Sequence, residues 1–453
     1  MPLDRLVLLG AGGDLTGRLL LPALASLLAS GGAPAGLRVQ GVGMQEWDDA
    51  LFQEHAAARL ASFADDVPVE VRTALVRSLS WVTADVTDPE QLRSALPADV
   101  PAVVYLALPN TVFAATCRAL AAVGLVEGSV LVVEKPFGAG LADARRLNAL
   151  VTDVVPEDSV FRVDHFMAKQ TVVNLLGLRF ANRVFEPLWG AAHVQSVDIV
   201  FDETLGLEGR AGYYDEAGAL RDMLQNHLLQ VLALVVMEPP TSLRARDLRD
   251  RKVDALRAVQ PAGDPASTSR RGRYTAGSVA GRSLPSYAEE DGVDPARQTE
   301  TFAELELRVD NWRWAGVPFR LRSGKALSAD RSEVVLTFRP VPHLPFASAE
   351  PVESNVLRLS LKPDRVTLSL NVNGPGDPFD LETADLALQL PDRSLTPYAL
   401  LLGDVFERDP SLSIRGDEAE ESWRIVEPVL AAWADGRVPL EDYVAGSDGP
   451  GAG

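Results

Sequence analysis

A single cysteine, Cys117, occurs in 453 residues, which excludes an intramolecular disulfide and any thiolate metal cluster. Histidine is almost as scarce. The five are scattered, and none has ligand spacing with a carboxylate or thiolate, so no metal site is indicated. Positive charge is in the minority: 43 Lys and Arg face 63 Asp and Glu, a formal net charge of −20. Such a body repels a phosphate backbone, which argues against nucleic acid and anionic membrane as partners. An anionic small molecule would need a local basic pocket set against that field. Long apolar runs are lacking too: "LLQVLALVVM" (228–237) is about half the length a bilayer span requires. No basic, apolar leader precedes the first strand-like run, and the expected location is the cytoplasm. There is no fixed-period repeat, and the glycine-rich tail 445–453 is expected to be disordered.

What is present suits a protein with a sizeable core: 47% hydrophobic and 23% charged residues, in a chain long enough for two domains. The first third alternates short apolar runs with helical patterns. "RLVLLG" (5–10), "LRVQGVG" (37–43), "AVVYLAL" (102–108) and "SVLVVEKP" (129–136) read as strands, and "LLLPALASLLA" (19–29) as a helix. Continuous apolar runs predict a parallel sheet covered on both faces, the doubly wound α/β arrangement. After about residue 165 the rhythm changes. A helical segment (168–181) leads to alternating runs at 194–201, 301–309, 333–340, 356–363 and 365–372, which predict a large, mostly antiparallel sheet in an α+β domain. Residues 239–300 read as helix fragments and surface loops. The expected division is a dinucleotide-binding domain over 1–165 and a substrate and oligomerisation domain over 166–453.

"LVLLGAGGDLTGRLLLPAL" places Gly10, Ala11, Gly12, Gly13, Asp14 and Leu15 at the first strand–helix turn. Glycines there let the backbone approach a pyrophosphate, and the helix N-terminus offers N–H groups and partial positive charge. Leu15 occupies the sixth position of a G-x-G-x-x-G template, so the generic fingerprint is not met. At the end of the second strand, Met44 and Gln45 stand where a basic residue would meet a 2′-phosphate. Gln45 or Glu46 suits a free 2′-hydroxyl instead. A missing charge-assisted bond of about 1.5–3 kcal/mol should cost NADP roughly one to two decades. The residues favour NAD.

"GYYDEAGALRDMLQNHLLQVLALVVM" (212–237) reads as one helix with Leu220, Leu224, Leu228, Val231 and Val235 on a stripe, interrupted by Asp222 and His227. A histidine beside a carboxylate in a mostly apolar setting is either a satisfied core residue or a tuned base. "RVDHFMAKQ" (162–170) gathers Asp164, His165 and Lys169 on one short segment.

Taken together, "GAGGDLT", "VVYLALP", "EKPFG", the block beginning "RVDHFMAKQ", "ETLGLEGRAGYYDEAGALRDMLQNHLLQ", "VDNWRWAGVPFRLRSGKAL" and "WRIVEPVLAAW" resemble, in order, the signatures of the glucose-6-phosphate dehydrogenase family. The resemblance covers about residues 5–433. It implies a Rossmann-like domain, NADP or NAD as cofactor, a sugar phosphate as substrate, and a homodimer or homotetramer. It further implies His227 as the base at the C1 hydroxyl, with Asp164 supporting it and Lys135 between nicotinamide and sugar. His165 and Lys169 would hold the phosphate, and Glu203, Asp222 and Lys325 the sugar hydroxyls. A dianion needs cationic donors while neutral hydroxyls suit carboxylates, so the chemistry agrees.

Four positions depart from the family pattern. Phe166 replaces a tyrosine, Asp330 a basic residue with Arg331 beside it, Leu19 a basic residue beside Arg18, and Met44 or Gln45 an arginine. These changes predict NAD preference and altered affinity for glucose 6-phosphate. The alternative reading is a weakened paralogue that binds nucleotide or sugar as a regulator.

Overall fold

The computed structural model describes residues 3–209, 211–346, 352–376, 379–391 and 394–451. The chain forms two compact units: Met1–Ala168 with Pro240–Asp250 and Arg393–Glu420, and Lys169–Pro239 with Arg251–Asp392 and Glu421–Gly453. The division is not a single cut, because two later segments return to the first unit.

In the first unit, β1 (Arg5–Leu9), β2 (Arg38–Gly43), β3 (Leu79–Thr83), β4 (Val103–Leu106), β5 (Val130–Glu134) and β6 (Val160–Val163) form one sheet in the order β3-β2-β1-β4-β5-β6. Every pairing is parallel. Val7, Leu9, Val104 and Leu131 face one buried cluster, and Leu6, Leu8, Val103 and Val132 face another. A core on both faces is why these strands are continuously apolar. The returning helix Pro397–Glu407 completes the second of those clusters through Leu402 and Val405. The helix Asp49–Phe63 begins where the Asp48 carboxylate accepts the Leu51 N–H at 2.9 Å, satisfying one of the orphan donors of its first turn.

In the second unit, the large sheet comprises β7 (Val194–Asp202), β8 (Val259–Pro261), β9 (Ser269–Thr275), β10 (Phe302–Val309), β11 (Phe319–Gly324), β12 (Arg331–Phe338), β13 (Val356–Leu361), β14 (Asp364–Asn373), β15 (Leu381–Gln389) and β16 (Leu440–Val444). The order is β15-β14-β13-β12-β7-β11-β10-β9-β16, with β8 on β10. The sheet is mostly antiparallel, as expected. Two pairs, β7 with β11 and β9 with β16, are parallel.

Three sequence expectations change. The stretch 212–237 is not one helix. It is helical over Ala211–Ala219, breaks at Gly218 (φ +70°), runs as a π-helix over Leu220–Leu228 and continues as an α-helix over Leu229–Val236. The region 239–300 contains, beside the expected helical part at Ala245–Ala258, the sheet strand β9, which its arginines disguised as loop. Residues 445–451 are held rather than loose. Gly446 N–H donates to Ala326 O (2.8 Å), Arg322 to Asp448 O (2.7 Å) and Arg270 to Pro450 O (2.9 Å). Glycine and proline there serve tight turns, with Gly446 and Gly449 at positive φ.

Candidate active site

In a parallel sheet all carboxyl ends lie along one edge, where ligands of doubly wound folds bind. The first unit places its candidates there. Gly10 follows β1, Gln45 lies two residues beyond β2, Lys135 follows β5, and Asp164 and His165 follow β6. Gly10 has φ +88°, and a Cβ on it would stand 2.3 Å from Ala107 O. Its N–H and that of Ala11 both donate to Val42 O, at 2.8 and 3.1 Å, pinning the turn to β2. A Cβ on Gly12 would meet Gln45 Nε2 at 2.6 Å. The glycines keep this turn open to close approach, with a neutral amide against it. Arg18 Nη1 lies 3.3 Å and Arg59 Nη1 3.8 Å from the Asp14 carboxylate, so both nearby cations already have an acid partner. Met44 is exposed.

Asp164 is buried, and its Oδ1 accepts the Phe166 N–H at 2.9 Å. The His165 ring lies 5.1 Å from that of Phe166, edge-on, and stacks at 6.0 Å on that of Tyr398. Phe166 is itself buried. Behind Lys135, Tyr105 donates to Glu134 Oε1 at 2.5 Å. Burial pushes the Glu134 carboxyl up to about 7, against hydrogen bonds from Tyr105 and Tyr398 and the charge of Lys135. Burial likewise raises the Tyr105 and Tyr398 phenols. Sequence reasoning missed Glu134, Tyr105 and Tyr398. The acid immediately before "KP" was the available signal.

The second unit holds Lys169, Glu203, Asp222, His227 and Lys325. Parallel pairing of β7 with β11 brings their carboxyl ends together, with Asp202 opposite Gly324. The next residues, Glu203 and Lys325, therefore meet: Lys325 Nζ donates to Glu203 Oε2 at 2.6 Å. Lys325 Nζ also lies 5.2 Å from the Tyr214 ring centroid, and Lys169 Nζ 4.9 Å from that of Phe201. Asp222 and His227 share the π-helix. In an α-helix a five-residue spacing would put them about 140° apart, whereas i→i+5 bonding makes residues five apart neighbours on successive turns. The register is seen at its end, where Leu229 N–H donates to Leu224 O. His227 is 1% exposed and Asp222 half-buried.

Asp330 takes a role the sequence did not suggest. Its Oδ1 accepts the Thr204 N–H at 2.6 Å, fixing the turn after Glu203. Arg331 Nε lies 3.5 Å from Glu333 and 3.9 Å from Asp202, so this cation is already held by acids. Among the described residues, no helix is long and apolar enough to cross a membrane.

Comparison with known proteins extends over almost the whole chain. Family models for the glucose-6-phosphate dehydrogenase NAD binding domain and C-terminal domain match residues 7–174 and 176–453. The chain is 41% identical to the glucose-6-phosphate 1-dehydrogenase of Mycolicibacterium smegmatis, over 98% of its own length and 94% of that protein's. It is 38% identical to the same enzyme of Zymomonas mobilis, over 98% and 95%. Among solved structures, the X-ray structure of glucose-6-phosphate 1-dehydrogenase from Mycobacterium avium superposes with a TM-score of 0.88 at 37% identity, covering 99% of this chain and 95% of that one. A glucose-6-phosphate dehydrogenase in complex with its substrate gives 0.89 at 30%, covering 100% and 96%. With both family domains matched and the parallel and mixed sheets in place, the chain belongs to the glucose-6-phosphate dehydrogenase family.

Proposed function

We propose that this chain oxidises C1 of D-glucose 6-phosphate to the 1,5-lactone, with His227 as the base. The observation that carries this reading is the match of both family domains across residues 7–453, which contains the π-helical segment bearing Asp222 and His227. A nicotinamide dinucleotide fits the first unit because Gly10–Gly13 form the first strand–helix turn at the carboxyl edge of a parallel sheet, where no side chain stands in the way of a pyrophosphate at Gly10, Gly12 or Gly13. When bound, it supplies the acceptor for the hydride that leaves C1.

The chain's own residues do the rest. His227 removes the C1 hydroxyl proton and becomes imidazolium, and Asp164 stabilises that charge. His165 and Lys169 hold the phosphate, a compact dianion that needs cationic donors. Glu203, Asp222 and Lys325 hold the sugar hydroxyls. The ammonium has two N–H donors beyond the one it gives Glu203. Gripping the remote phosphate fixes C1 before the base and turns binding energy into orientation. Lys135 serves both cofactor and sugar, with Gly10–Leu15 and Gln45 completing the dinucleotide site.

NAD is preferred over NADP in this reading. Support comes from the neutral Gln45 against Gly12 and from Arg18 and Arg59, both beside the Asp14 carboxylate. A homodimer or homotetramer and a cytoplasmic location belong to the same proposal. Steady-state rates with each dinucleotide, against glucose 6-phosphate and against glucose, test it. Glucose 6-phosphate should be the better sugar, and NAD should lead in kcat/KM by about tenfold or more. Absence of turnover on glucose 6-phosphate would sink the reaction, and a strong NADP preference would sink the cofactor assignment.

A further inference from the structure

The π-helix that carries Asp222 and His227 starts just after a glycine break, and its first amide bonds a residue 80 positions away in the chain. Gly218, at φ +70°, breaks the preceding helix, and a Cβ there would sit 2.4 Å from Glu300 Oε1. The two amides that follow are both taken by Glu300: Leu220 N–H donates to its Oε1 at 3.0 Å and Ala219 N–H to its main-chain oxygen at 3.1 Å. Glu300 is 5% exposed. Its neighbours in the chain hold the flanking pieces. Thr299 Oγ1 donates to Asp215 O at 2.6 Å, before the break. Lys325 N–H donates to Thr301 O at 2.9 Å, and Tyr443 hydroxyl, 2.8 Å from Thr301 Oγ1, donates to Lys325 O at 2.7 Å. Three consecutive residues thus tie the lead-in helix, the π-helix start and the Lys325 turn to one strand end.

We propose that Glu300 is a positioning residue for the reaction: by capping the π-helix at Leu220 it sets the register that places His227 and Asp222 on one side. A carboxylate buried in a protein is costly unless its bonds are made, and here Oε1 accepts from Leu220 N–H, a main-chain donor of the segment bearing the base. Burial pushes its carboxyl up, while the Leu220 N–H and the charges of Arg221 and Arg271 pull it down. A glutamine, neutral and of nearly the same shape, should therefore replace it well. An aspartate, one methylene shorter, should not reach. The inference rests on His227 being the base.

The test compares Glu300→Gln, Glu300→Asp and Glu300→Ala with the parent. The measurements are kcat, KM for glucose 6-phosphate, the isotope effect on kcat with deuterium at C1, and amide hydrogen exchange over 220–228. In the alanine variant kcat should fall about 10- to 100-fold, since a shift of about 1 Å in a catalytic group costs on the order of 100-fold. KM should stay within about threefold, the isotope effect should rise, and exchange over 220–228 should accelerate. Glutamine should restore all four toward parent values. If alanine prevents folding, aspartate with impaired kcat beside a near-normal glutamine variant supports the proposal equally. Parent-like kcat, isotope effect and exchange in the alanine or aspartate variant would overturn the proposal, as would faster exchange with unchanged kcat. A parent without turnover on glucose 6-phosphate would instead refute the proposed reaction. Exchange over 220–228 would then still decide whether Glu300 sets the segment.

Discussion

Each unit brings a positive-φ glycine shortly before a π-helical stretch: Gly10 before Thr16–Leu20, and Gly218 before Leu220–Leu228. The two stretches present different groups. The first carries Thr16, Gly17, Leu19 and Leu20 with Arg18 its one charge, so what its turn offers a ligand is main chain and room. The second carries Asp222, Asn226 and His227, so what it offers is side chains. A dinucleotide pyrophosphate is recognised by backbone amides at a helix start, whereas proton removal needs a titratable group held in place. In the proposed function the same local device serves binding in one unit and chemistry in the other.

That contrast predicts opposite mutational signatures. The largest effect belongs to the side-chain site. His227→Asn should lower kcat about 1,000-fold or more, with thermal midpoint and dinucleotide affinity near parent values. Retention of more than about a tenth of kcat would remove His227 from the chemistry. Next is the main-chain site, where Gly10→Ala drives a Cβ against Ala107 O. Strain of about 1–3 kcal/mol should lower the thermal midpoint, and the turn should rearrange enough to raise the dinucleotide KM about 100-fold. A parent-like KM would erase the contrast. Gln45→Arg sharpens it by adding a side-chain reader to the main-chain site. Relative kcat/KM should move toward NADP by about one to two decades, the worth of one charge-assisted bond. An unmoved ratio would place the ribose elsewhere.

The smallest effect is a pH dependence. Glu134 titrates near 7 in the folded chain against an ordinary 4.5. Between those values the folded state keeps a proton that the unfolded state has released, so this stabilisation is full below about pH 4.5 and is lost as pH rises through about 7. Glu134→Gln should remove on the order of 1–3 kcal/mol of that decline, read as a flatter urea midpoint between about pH 5 and 8. An identical slope in the variant would show that another group titrates there.

The central strands of the first unit were legible because burial on both faces demands unbroken apolar runs. The edge strand β3, "LSWVT", was not, since its outer side is half exposed and Ser80 and Thr83 interrupt it. Strand β9, "SRRGRYT", hides behind three arginines. Yet Arg271 is buried, its guanidinium 5.7 Å from the Trp433 ring centroid and donating to Val438 O. The π register escaped for a deeper reason. The stripe Leu220, Leu224, Leu228, Val231, Val235 satisfies an α-helical period, and hydrophobic spacing is blind to whether the bond skips three residues or four. The signals that could have exposed it are Gly218 and the polar run Gln225–Asn226–His227, all three of that run buried. The candidate residues were readable through the family blocks, whereas Glu300 and Tyr398 make long-range main-chain and ring contacts that no local pattern encodes. Only five lysines occur in the chain, and three of them, Lys135, Lys169 and Lys325, fall among the candidates.

The parallel seam between β7 and β11 inside an otherwise mostly antiparallel sheet carries a consequence for biogenesis. The ammonium of Lys325 and the carboxylate of Glu203 are separated by 122 positions of chain yet joined at 2.6 Å, and no hairpin can deliver such a pair. The Glu203–Lys325 pair therefore cannot form in a nascent or truncated polypeptide that lacks either strand. During synthesis it arrives late, after residue 325 has left the ribosome and the two strand ends have closed.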